Sequence, residues 1–70
     1  MATIYIQLLN EGVDVWRPVD ATHLADDRYR IEGDVPDGED WQFQPGTVVR
    51  CDWMTFSDGE RGLTATSVAN

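Results

Sequence analysis

Seventy residues, with 13 acidic side chains against five arginines and a net charge of −8, allow one small domain, read here as a single unit over 1–70. So acidic a surface repels phosphate backbones and anionic lipid, so neither nucleic acid nor a membrane is expected as partner. One cysteine and one histidine make neither an internal disulfide nor a four-ligand zinc site; no metal or cofactor is expected, and stability must come from packing or self-association.

Ala2 to Leu9 is rich in β-branched and aromatic residues and reads as a strand. Ile4, Ile6 and Leu8 share one face, the core face, and Tyr5 and Gln7 the other. The same residues carry no basic leader and no long apolar run, so no signal peptide is expected, and a lone thiol then fits a reducing cytoplasm. Asn10-Glu11-Gly12 is a connector, with glycine suited to a left-handed position that closes a hairpin. Val13 to Val19 is the returning strand. Val13 and Val15 share one face and Asp14 and Trp16 the other, so that if the valines face the core, Trp16 faces away from it. Pro18 donates no ladder hydrogen bond, so this strand is an edge or bends there.

Asp20 to Asp27 is ambiguous between a continued strand and an irregular turn, with Asp26-Asp27 as turn residues. Arg28 to Glu32 alternates, Tyr29 and Ile31 inward and the charged residues outward. Gly33 to Asp40 is an acidic loop. Trp41 to Gln44 reads as a short strand with Trp41 and Phe43 on one side. Pro45-Gly46 suits the centre of a type II turn, because proline pre-sets the first dihedral and glycine accepts the positive one. A longer strand then runs from Val48 to Phe56, with Val49, Cys51 and Trp53 on one face. Ser57-Asp58-Gly59 is a turn and Gly62 to Val68 the last strand. No stretch longer than about one turn carries a helical period. Five short strands joined by tight turns predict an all-β fold, a small five-stranded SH3-like barrel, whose closure removes exposed strand edges.

The run Leu8 to Val19, followed by Tyr29-Arg30-Ile31 and by Trp41-x-Phe43-x-Pro45-Gly46-x-Val48-Val49-Arg50-Cys51, resembles a group of short, uncharacterised bacterial proteins across nearly the whole chain. The resemblance implies a stand-alone bacterial protein and brings no activity, cofactor or catalytic residue with it.

Chemistry-bearing constellations are sparse. Cys51 with His23 would need hydrogen-bond contact and an orienting third group to act as nucleophile and base, and the spacing specifies neither. The plainer reading is a buried strand cysteine and a loop histidine, so no enzyme is expected. The acids of Glu32 to Asp40 do not follow the alternating pattern of a calcium loop and read as a solvated turn.

The partner-binding candidates are Trp16, Arg17 and Pro18, with Tyr5 and Tyr29 beside them. Tryptophan and arginine are the residues enriched at interface anchors, and aromatic grooves with proline hold extended peptides. The structural alternative is that Trp16 packs under a loop and Arg17 pairs with an acid. The expected function is therefore a non-catalytic interaction module for a protein or extended peptide. A structural homo-oligomer is the alternative, and a nucleic-acid-binding barrel a less favoured one.

Overall fold

The computed structural model describes residues 1–69. Strands form where β-branched and aromatic residues alternate with polar ones: β1 Ala2–Leu8, β2 Val15–Ala25, β3 Arg28–Ile31, β4 Val48–Thr55 and β5 Arg61–Val68. The sheet runs β1-β2-β3-β4-β5 and closes on itself, giving an all-β barrel of the small SH3-like kind. Consecutive strands pair antiparallel. An up-and-down sheet with an odd number of strands must close on a parallel contact, and it does so where Tyr5 of β1 meets Thr64 of β5.

The inward side chains are Ile4 and Ile6 of β1, Val19 and Ala21 of β2, Ile31 of β3, Val49 and Cys51 of β4, and Ala65 of β5. Trp41, only 4% exposed, joins this cluster from a loop. Leu8, Tyr29, Val35, Phe43 and Leu63 pack around it. Among the described residues every buried side-chain nitrogen or oxygen has a hydrogen-bond partner. Thr64 is one of these, its hydroxyl donating to the Asp52 carbonyl at 3.0 Å.

The turn at Pro45-Gly46 forms as the sequence requires. Gly46 has φ +89°, and the Thr47 N–H donates to the Gln44 carbonyl at 3.1 Å. The Gly46 N–H itself donates to the Ile31 carbonyl at 2.8 Å, tying the turn to the end of β3. Asp26-Asp27 also turns, with Asp26 left-handed at φ +47°, and β2 extends through the ambiguous stretch as far as Ala25 with a register shift between His23 and Ala25. Pro18 sits at an edge in the sense expected: it lies opposite Tyr5 on the β1 side, whereas pairing with β3 starts only at Ala21.

Two expectations are corrected. Val13 is not a core residue; it is 73% exposed, and β2 begins at Val15. The reason lies in residues 9–14, which leave the ladder to bond the acidic loop. The Leu9 N–H donates to the Asp40 carbonyl at 2.7 Å, and the Asn10 side-chain amide donates to the Asp40 carboxylate at 3.1 Å. Trp41 to Gln44 is not a strand but a single bridge, Trp41 to Leu8, because the rest of that segment turns toward Pro45-Gly46. Trp53, on the same strand parity as Val49 and Cys51, is 65% exposed, because it lies beyond Arg50, the last β4 residue paired with β3.

A β-branched side chain at Gly46 would be forced into a left-handed backbone. Gly46→Val is expected to destabilise the fold by ~1 kcal/mol or more, read as a lower denaturant midpoint at unchanged slope. An unchanged midpoint would contradict the turn geometry.

Candidate functional site

Tyr5 points outward from β1 because its neighbours Ile4 and Ile6 point inward. On β2 the outward set includes Trp16 and Pro18, which lie opposite Gln7 and Tyr5. The β4–β5 turn delivers the third ring. Phe56 closes that turn through paired backbone bonds with Glu60 and Gly59, its N–H donating to the Glu60 carbonyl at 2.7 Å and its carbonyl accepting from Gly59 at 3.0 Å. Gly59 takes φ +90°, and the Asp58 carboxylate accepts from the Glu60 N–H at 3.0 Å. These bonds close Phe56 to Glu60 into one turn.

Phe56 meets Tyr5 edge-to-face, ring centroids 4.9 Å apart, and lies 6.1 Å from the Trp16 ring at a 48° tilt. The close approach of Tyr5 and Phe56 to β5 needs Gly62. A Cβ there would lie 2.7 Å from Phe56 Cε2 and from Tyr5 Cδ1 and Cε1. All three rings are half-buried, so the platform is packed below and open above. A cleft of about 360 Å³ opens beside it, lined by Tyr5, Trp16, Phe56, Ser57, Asp58, Glu60 and Arg61. A second hollow of about 210 Å³ lies on the other flank of the Trp16–Phe56 ridge, where Asp14 and Met54 contribute. The Gln7 amide donates to Asp14 at 3.1 Å and fixes that carboxylate near the ridge.

Of the residues expected at a site, the structure brings Tyr5 and Trp16 together through Phe56, with Pro18 exposed on the same outer face. Arg17 faces the other way, toward a hollow of about 180 Å³ shared with Val19, Glu32, Pro36 and Trp41, which Pro18 also borders. There its guanidinium lies 3.7 Å from Glu39. Glu39 also accepts from the Trp41 indole N–H at 2.9 Å, so the pair belongs to the fastening of the acidic loop. Tyr29 sits on a different strand pair and stacks on His23, rings 4.6 Å apart and nearly parallel. The site residues that sequence reading missed are Phe56, Asp58, Glu60 and Arg61. The Ser57-Asp58-Gly59 turn marks their neighbourhood, but nothing local says that this turn folds back over Tyr5.

Elsewhere the titratable groups serve structure. Glu32 accepts from the Thr22 hydroxyl at 2.6 Å and from Arg30 Nε at 2.9 Å, and these bonds, Thr22 first, hold its carboxyl below the usual range. His23 Nε2 is 2.8 Å from the Asp26 carbonyl oxygen, and no hydrogen bond joins it to Cys51. Burial, helped by the charges of Asp27 and Asp52, pushes the Cys51 thiol up to about 11. Among the described residues no three metal-ligating side chains group together, and no helix is long and apolar enough to cross a membrane.

Compared with protein families, curated proteins and solved structures, the chain matches none.

Two outcomes follow from this packing. Gly62→Ala should displace the Tyr5 and Phe56 rings and destabilise the barrel by about 1–3 kcal/mol, with altered near-ultraviolet dichroism. Unchanged melting and dichroism would mean the rings do not lie against β5. Cys51, protonated at neutral pH, should react with a disulfide reagent at pH 8 roughly 100-fold more slowly in the native protein than in urea. Its folded value is raised, so its contribution to stability is complete below the unfolded value, about 8.5, and is lost as pH climbs toward the folded one. The melting midpoint should therefore fall on the alkaline side. Equal labelling rates in the two states would place the thiol at the surface.

Proposed function

We propose that this chain is a non-catalytic interaction module that holds a protein or extended peptide segment on its Trp16 face, in the reducing cytoplasm of a bacterium. The observation that carries this reading is the outward platform of Tyr5, Trp16 and Phe56 beside a cleft of about 360 Å³. A platform of this kind offers a large apolar area whose rigid side chains lose little entropy on binding, the property of interface anchors. Pro18 extends it along β2. Tyr29, stacked on His23, and Arg17, beside Glu39, lie apart from this platform.

A structural homo-oligomer is the second reading. Trp53 at 65% and Val68 at 50% exposure on β4 and β5 favour it, because a second copy would cover them.

The test is capture from a bacterial lysate with tagged wild type, Trp16→Ala and Ser57→Trp, the last chosen to fill the cleft without disturbing the core. A partner held by wild type and lost by both variants, each melting near the wild-type temperature, is the expected result. Retention by both variants would move the interaction to another surface. Recovery of untagged copies alone would favour the homo-oligomer. An unfolded Trp16→Ala would make that ring part of the core, and Ser57→Trp then decides the reading alone.

A further inference from the structure

Resting on the reading of the Trp16 face as a peptide site, we propose that its occupant is an extended segment carrying an arginine, whose guanidinium enters the cleft between the aromatic rings and Asp58 and Glu60. The cleft joins two features that seldom serve one ligand unless it is a cation with a flat, weakly hydrated face. One wall is Tyr5, Trp16 and Phe56, and the same cleft is lined by two acidic residues, Asp58 and Glu60. Guanidinium stacks on aromatic faces and forks two parallel hydrogen bonds to a carboxylate; ammonium does neither as well.

Both carboxylates have acceptor capacity to spare. Asp58 spends one oxygen on the Glu60 N–H, and neither it nor Glu60 is within 4.0 Å of a cationic group. The chain's own cations are engaged or remote. Arg17 lies at Glu39 and Arg30 at Glu32. Arg28 and Arg50 face each other across β3 and β4. Arg61 does line the cleft, but its guanidinium lies 5.8 Å from the Trp53 ring centroid. The net charge of −8 adds long-range attraction for a basic segment.

The hollow on the far side of the Trp16–Phe56 ridge, with Asp14 and Met54, suits the next side chain of the segment that points the same way. Along an extended chain that is the residue two positions on, about 7 Å away.

Three tryptophans at separate places make the test local: Trp16 at the cleft, Trp41 in the core and Trp53 beside Arg61. Acetyl-Gly-Pro-Arg-Pro-Gly-amide is titrated into the isotope-labelled protein and the three indole N–H resonances are followed. The probe's citrulline counterpart, which keeps the shape and removes the charge, is titrated beside it. The expected result is a saturable shift at Trp16 with the arginine peptide, no saturation with citrulline, and weakening as salt rises. Asp58→Asn with Glu60→Gln should weaken binding by roughly tenfold, the size of a lost charge-assisted hydrogen bond. Asp58→Asn keeps an oxygen for the Glu60 N–H, so the turn survives.

Equal binding of the citrulline peptide would overturn the arginine assignment and leave the peptide-site reading standing. No shift at Trp16 with either peptide, or a shift confined to Trp53, would overturn the assignment too. A Trp16 shift that depends on protein concentration without any peptide would give the cleft to a second copy. The peptide-site reading itself fails separately, by the absence of any Trp16-dependent partner in the lysate capture.

Discussion

The barrel depends on one close approach, that of β1 to β5. Closure runs through a single parallel contact, Tyr5 to Thr64, whereas every other seam has a ladder of antiparallel pairs. A seam this short needs support beyond its backbone bonds. Thr64, the β5 residue of that contact, is held from the β4 side, its hydroxyl donating to the Asp52 carbonyl, so its buried side-chain oxygen is not left unpaired. Gly62 supplies the rest by having no side chain, so the Tyr5 ring lies across β5 and Phe56 folds over it. The device that seals the barrel is thus also the device that builds the aromatic platform. Structure and site share Tyr5, Phe56 and Gly62, and a change at any of them acts on both.

The opposite side of the molecule is held by the acidic loop. Its carboxylates look like surplus charge in the sequence, yet two of them fasten the fold. Glu39 receives the Trp41 indole and lies beside Arg17; Asp40 receives the Asn10 amide on its side chain and the Leu9 N–H on its backbone. With the Gln42 N–H donating to the Gln7 carbonyl at 3.0 Å, these bonds press Trp41 into the core. A small barrel has few aliphatic residues to spend on its interior, and one tryptophan supplied by a loop replaces what a longer strand would provide. Among the remaining acids, Asp58 and Glu60 line one cleft together with Tyr5, Trp16, Phe56 and Arg61.

The fold was legible to the extent that period and turn chemistry are local. The alternation of Ile4, Ile6 and Tyr29, Ile31, the glycine of Pro45-Gly46 and the edge at Pro18 depend on neighbours one to four residues away, and each stands as the sequence implies. The exposure of Val13 and the loop setting of Trp41 depart from the sequence reading for the complementary reason: they are decided by Asp40 and by Leu8, both distant in sequence. The candidate site divides in the same way. Trp16 and Tyr5 face outward by parity alone. Arg17, next to Trp16, faces away from them by the same parity, whereas the place of Tyr29 on another strand pair follows from strand order, and the contribution of Phe56, Asp58 and Glu60 follows from how the β4–β5 turn folds across the seam.

What this sequence determined by itself is a small, acidic, all-β chain with five strands, its main turns and the face on which each regular strand places its side chains. These properties arise from backbone dihedral preferences and a two-residue period, which act over a few residues. The tertiary structure alone decided which outward side chains become neighbours. Closing five strands into a ring brings the first strand against the last, so Tyr5 meets residues more than fifty positions away, Phe56 and Gly62 among them. The platform and its acidic cleft exist only once that seam is formed, because no local rule of the chain relates its two ends.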